Sequence, residues 1–301
     1  MEAIARRAAA PVYALALFAS AALIFVLQPL FGRMVTPLLG GSPQVWNASM
    51  AFFQGALLVG YLYAHLLQRV KDLKLQAIIH GVVLIAAWFV LPIQVSTALG
   101  PPSSEHPAAW LVGVLTLSVG APFAAASATA PLLQTWFART GRSDAADPYY
   151  LYAASNLGSF VGLLAYPALI EPLLGVHAQS QAWSVGYVAV VALIVLCAAV
   201  AVSAHGATPK PLEHTAPAPS WRERGYWIAA AAVPSALSLG VTLHISTDVA
   251  SAPMLWVVPL ALYLATFVIA FMKGSEKIVG ATLLIHPIAL ALMVAFYFNS
   301  G

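Results

Sequence analysis

Charged residues are scarce. Asp, Glu, Lys and Arg make up 8% of the 301 residues, where a soluble domain carries about 25%. So few charges cannot cover a surface that faces water, so a soluble globular fold is excluded and most of the outer surface must meet lipid. Cysteine is scarcer still. Cys197, in the apolar run LIVLCAAV, is the one cysteine, which excludes an internal disulfide and a cysteine metal cluster. The sequence also lacks a Ser/His/Asp arrangement, a phosphate-cradling glycine loop and any metal-ligand spacing. No catalytic residue, no cofactor and no metal is therefore expected. The charge of +3 and pI near 9.0 would suggest nucleic acid in a soluble chain. Here the basic residues sit in short loops between apolar runs, a pattern that sets membrane orientation and gives no reason to expect a nucleic-acid partner.

What the chain has in abundance is apolar surface: 61% of residues are hydrophobic and the mean hydropathy is +0.87. A bilayer core of about 30 Å takes about 20 apolar residues per helix, and the backbone in lipid must satisfy its own hydrogen bonds, so each run should be helical. Nine runs stand out, at about 11–32, 45–69, 75–95, 108–136, 148–171, 179–204, 225–245, 252–272 and 278–299. The fold class expected is all-α, a polytopic transmembrane bundle. The first run is longer than the core of a signal peptide and is read as a retained helix.

With the N-terminus inside, twelve of the 13 basic residues fall in inner segments, and Arg33 is the outer one. This asymmetry argues for that orientation. Trp46, Trp110, Trp183, Trp221, Trp227 and Trp256 fall near predicted helix ends, where they are expected to anchor at the membrane interface. The stretch HGATPKPLEHTAPAPS reads as a flexible inner linker. It divides the chain into a six-helix bundle (1–204), a linker (205–221) and three further helices (222–301).

The second and eighth runs open alike, with Ser42-Pro43-Gln44-Val45-Trp46 and Ala252-Pro253-Met254-Leu255-Trp256. Proline suits a first helical turn, where its missing N–H costs nothing. The third and ninth runs share Ile79-His80 and Ile285-His286 behind short basic loops. The first three and last three helices therefore read as parallel copies, as in transporters whose halves are related by an axis along the membrane normal. On that plan the fourth to sixth helices lack counterparts, three more helices are expected after Gly301, and the chain is a fragment or a reduced version of a twelve-helix design.

Three stretches, QPLFGRMVTPLLGGSPQVWNASMAFFQGALLVGYLYAH, APLLQTWFARTGRSDAADPYYLYAASNLGS and STDVASAPMLWVVPLALYLATFVIAF, resemble the membrane portion of bacterial spermidine synthase-like membrane proteins, the fused major-facilitator/spermidine synthase type. The resemblance implies a bacterial inner-membrane location and a 6+3 arrangement like an incomplete major-facilitator repeat. It does not imply enzyme activity, because no strand with a Gly-rich turn and downstream acid is present to hold an adenosyl nucleotide.

Arg33 stands out because ionisable groups near membrane depth are costly and often functional. Glu105, Glu171 and Asp248 are its candidate partners, and an Arg33–Asp248 pair across the two copies, near His244, is the favoured one. Asn47 and Gln54 are seven apart and share a helix face. Together with Gln28 and Asn156 they are expected to make polar contacts inside the bundle. Ala154, Gly158 and Gly162 recur every fourth residue, a stripe that lets another helix approach. His65 and His80, close to the inner ends, read as interfacial, and neither His80 nor His286 is assigned a pigment or haem. Pro122, Pro131 and Pro234 should break the hydrogen-bond ladder of their helices. Two functions fit these features. One is a transporter-like bundle with a polar cavity between its repeats, handling a small cation such as a polyamine. The other is an accessory subunit packing against a larger membrane complex, or an anchor for an absent synthase domain.

Overall fold

Apolar runs with no water around them close their own N–H···O=C ladders. The computed structural model describes residues 2–40, 42–102, 105–142, 149–204, 219–245, 257–271 and 274–299. Among these, nine helical stretches form and there is no strand. They are α1 (Glu2–Leu39), α2 (Pro43–Leu67), α3 (Leu73–Trp88), α4 (Pro107–Ala138), α5 (Tyr149–Ala165, continuing through Tyr166–Ile170 to Glu171–Leu173), α6 (Val176–Ala204), α7 (Trp221–His244), α8 (Val257–Ala270) and α9 (Glu276–Asn299). Seven are long and apolar enough to cross a membrane, while α3 and α8 are apolar but shorter. At 16 and 14 residues those two span roughly 24 and 21 Å.

Several boundaries differ from the sequence reading. The first helix does not stop near residue 32 but runs to Leu39, so Arg33 lies on the helix and not in a turn. Pro29 and Pro37 are accommodated within it, each removing one ladder bond. The stop is Gly40, whose φ of +74° suits glycine and whose N–H reaches Thr36 O at 2.8 Å. The third helix ends at Trp88, short of residue 95, because Pro92 disfavours helical backbone at the residue before it. The irregular chain that follows is tied down from outside. Ser180 Oγ donates to Ile93 O at 2.6 Å, and Trp110 Nε1 donates to Gly100 O at 3.2 Å.

Proline also shapes α4 and α5. α4 passes through a π-helical turn at Thr116–Gly120, just before Pro122, and is interrupted at Ala128, before Pro131. In α5, Pro167 lies within a second π-helical turn, Tyr166–Ile170. Both irregularities follow from a missing N–H donor, which the helix absorbs by slipping register. Pro234 does not interrupt α7, which continues to His244.

The core lies among α1 to α6, with α1 packed between α5, α6 and α4. A Cβ on Gly158 of α5 would lie 2.2 Å from the Phe18 carbonyl oxygen, and one on Gly162 would lie 2.5 Å from that of Ala22. The two backbones touch, at positions four residues apart on each helix. Gly60 brings α2 equally close to α4, 2.5 Å from Ala124 O on the same construction. Hydrogen bonds complete the assembly: Tyr13 Oη donates to Cys197 O at 2.8 Å, Trp183 Nε1 to Leu23 O at 2.9 Å and Tyr187 Oη to Leu84 O at 3.0 Å. Trp110 and Trp183 are thus buried core residues rather than exposed anchors: the Trp183 indole N–H is met by Leu23 O of α1 and that of Trp110 by Gly100 O of the loop before α4. Trp221 and Trp227 are exposed at the start of α7, and Trp256 lies outside the described residues.

The last three helices are peripheral. α8 packs on α5 through Leu163, Val257, Ala261 and Leu264, whereas the spans of α7 and α9 bury no residue. The two histidines of the proposed repeat differ accordingly: His80 is buried and His286 is exposed. The Pro253–Trp256 signature and most of the linker 205–221 lie outside the described residues. α7 opens at Trp221 with a capping box, in which Ser220 Oγ accepts from Glu223 N–H and the Glu223 carboxylate accepts from Ser220 N–H.

Overpacking the α1–α5 contact tests this arrangement. Gly158→Val or Gly162→Val should destabilise the detergent-purified protein by about 1–3 kcal/mol, since a branched side chain must push two backbones apart. Gly55→Ala, where a Cβ meets nothing within 4 Å, should leave the thermal unfolding midpoint unchanged or raise it. Equal midpoints for all three variants would mean that α1 and α5 are not in contact.

Candidate functional site

In the N-terminal half of α2, Trp46, Asn47, Met50, Ala51 and Gln54 follow one another at helical spacing and share a face. Opposite them, α7 presents Ser235, Ser238, Leu239 and Thr242, again three and four residues apart, and α8 adds Leu260 and Tyr263. Together they line a partly open cavity of about 370 Å³. This is the size range of small-molecule sites, as is the lining of apolar side chains with a few polar groups. Gly32 of α1 makes room for the rim: a Cβ there would lie 2.7 Å from the Trp46 ring, so the indole packs on bare backbone.

The polar groups are arranged by local chemistry. Ser235 Oγ donates to Ala231 O at 2.9 Å and Thr242 Oγ1 to Ser238 O at 2.8 Å, the usual back-bond of a hydroxyl inside a helix. Asn47 and Gln54 do share a face, but neither makes the interhelical hydrogen bond expected from the sequence. Both are exposed and line the cavity, because α7 stands off from α2 instead of packing on it. The residues the sequence reading passed over are Ser235, Ser238, Thr242 and Tyr263. The first three form a polar stripe in PSALSLGVT, a signal at helical spacing that was there to be read.

Arg33 and Glu171 meet near the C-terminal ends of α1 and α5, with Nη1 3.2 Å from Oε1 and side chains 54% and 25% exposed. Glu171 follows the π-helical turn of α5 directly, and beneath it Tyr166 Oη donates to Gln179 Oε1 at 2.9 Å. Asp248 lies outside the described residues, and His244 is exposed at the last residue of α7. Gln28 and Asn156 are half-buried and do not line the cavity. Ala154 is half-buried on α5, whose Gly158 and Gly162 meet α1.

A second polar cluster lies deep between α2, α3 and α4. His80 is not interfacial but fully buried. Its ring stacks on Tyr63, whose hydroxyl is 3.4 Å from Nδ1, and its Nε2 is buried without a hydrogen-bond partner. One turn away, Trp136 Nε1 donates to Gln76 Oε1 at 2.9 Å, and Gln76 Nε2 donates to Val70 O. His65 is exposed. Among the described residues no group of three or more His, Cys, Asp or Glu could hold a metal ion.

Compared with known proteins, the chain matches no family model, no curated protein and no solved structure.

The Arg33–Glu171 contact is open to a double-mutant cycle. Because both side chains reach solvent, the coupling between Arg33→Ala and Glu171→Ala should be about 0.2–1 kcal/mol at low salt and should shrink as salt rises. A larger coupling of Arg33 to Asp248 than to Glu171 would displace this pairing.

Proposed function

We propose that the protein is a non-catalytic, transporter-like bundle of the bacterial inner membrane, with its N-terminus in the cytoplasm, and that it takes up a small organic solute in the cavity between α2, α7 and α8. The observation that carries this reading is the cavity itself. It lies between the first helices and the last three, as a solute site between two repeats would, and it collects a few polar side chains in an otherwise apolar lining. The resemblance to the membrane portion of spermidine synthase-like proteins supports the same class and makes a small cation such as a polyamine the first solute to try. The positive loops support the orientation.

The exposure of α7 and α9 favours a second reading, an accessory subunit whose open flank packs against a larger membrane complex. The two readings separate in one preparation. Purified protein in proteoliposomes should take up labelled solute saturably, and Gln54→Leu should slow uptake about tenfold, the loss expected when one hydrogen bond to the solute disappears. A stoichiometric partner on mild purification, with no uptake by the protein alone, would instead establish the subunit reading.

A further inference from the structure

We propose that the end of the bundle where α2 turns into α3 binds the phosphate of an anionic phospholipid, whose acyl chains lie along α2 and α3. This rests on the membrane placement above and not on the solute-binding reading.

The first argument is that segments far apart in sequence bring their cations together on a fixed backbone. α2 ends at Leu67 and α3 begins at Leu73, both buried. The loop between them is tied to α3 and to the end of α4. Gln68 Nε2 donates to Pro131 O at 3.5 Å, Gln76 Nε2 to Val70 O, and Arg139 Nη1 to Lys71 O at 3.4 Å. Trp136 Nε1 in turn holds Gln76 through its Oε1 at 2.9 Å. Arg69, Lys71 and Lys74 are exposed on this frame, and Arg139 is half-buried beside Lys71. A ligand that meets them has side chains to order and no loop, which lowers the cost of binding.

The second argument is charge. Among the described residues none of these four cations is in an ion pair. Asp72 stands in the loop, where its carboxylate accepts the Lys74 N–H at 2.8 Å and caps α3. Arg142 is already engaged, and Asp144 and Asp147 lie outside the described residues. Taken whole, residues 68–74 and 139–147 carry five cations against three acids. The excess favours an anion, and phosphate oxygens accept well from both Arg and Lys. A zwitterionic headgroup brings a cation of its own and gains less.

Apolar surface next to the cations marks the anion as a lipid. Free phosphate on an exposed cluster is screened by salt and held weakly. Here Leu62 and Leu66 are exposed on α2, four residues apart, and Leu75, Ile78 and Val82 on α3, three and four apart. These stripes run from the loop toward the middle of each helix, so one molecule can seat its phosphate on the loop and its chains on the stripes.

The test is native mass spectrometry of the full chain in detergent, titrated with dioleoylphosphatidylglycerol or dioleoylphosphatidylcholine. We expect the first phosphatidylglycerol to bind at least about tenfold more tightly than phosphatidylcholine, since each cation near an anionic headgroup is worth about fivefold. The double variant Lys71→Gln/Lys74→Gln, at exposed positions, should keep its thermal midpoint, weaken phosphatidylglycerol about 10- to 30-fold and leave phosphatidylcholine unchanged. Arg222→Gln/Lys277→Gln removes the same charge from exposed positions on α7 and α9 and should change neither. Equal affinity for the two lipids would overturn the proposal, as would a loss in the Lys71/Lys74 variant no larger than in the Arg222/Lys277 variant. Displacement of phosphatidylglycerol by soluble glycerol 3-phosphate would also overturn it, by showing a site for free phosphates. A chain that stays monodisperse without detergent or lipid would remove the membrane placement as well. Phosphatidylglycerol preference in a chain that carries no solute leaves this inference standing.

Discussion

Between helices in lipid, apolar side chains gain little by meeting one another, because acyl chains are equally apolar. What remains to hold a bundle together is close backbone approach and hydrogen bonding. This chain uses both along α1. Gly158 and Gly162 lay α5 directly on the carbonyls of Phe18 and Ala22, and Trp183 and Tyr13 tie α6 to α1 through the Leu23 and Cys197 carbonyls. Gly60 does for α2 and α4 what the α5 glycines do for α1. The packing of the six-helix core follows from these contacts, and the large aromatics Trp136, Phe137 and Tyr187 fill the space that they leave.

Proline sets where the helices depart from regularity, and one departure positions a charge. The π-helical turn around Pro167 shifts the register of everything beyond it in α5, and Glu171 is the next residue. Its carboxylate meets Arg33, which has stayed on α1 because that helix continues past Pro29 to Gly40. A helix ending at residue 32 would have left Arg33 in a turn.

The outer helices follow a different logic. α7 and α9 bury nothing and are free to face lipid on most sides. α7 nevertheless carries Ser235, Ser238 and Thr242 on the side toward α2, where two hydroxyls have found backbone acceptors in their own helix. Because the facing surfaces of α2 and α7 do not interdigitate, a space is left between them. The same polar groups that would have joined two helices instead line a cavity.

Composition and hydropathy determined the solvent, the helical class and the approximate position of all nine helices, because each depends on runs of neighbouring residues. The stripe at Gly158 and Gly162 was legible for the same reason: it repeats along one helix, even though its partner on α1 does not appear in the spacing. The burial of His80, the insertion of Trp110 and Trp183, the pairing of Arg33 with Glu171 and the cavity face of Asn47 and Gln54 were decided by the tertiary structure alone. Each of these depends on which segment lies opposite, and that is set by contacts between separate elements, such as Gly60 with Ala124 or Phe18 with Gly158, which no local pattern encodes.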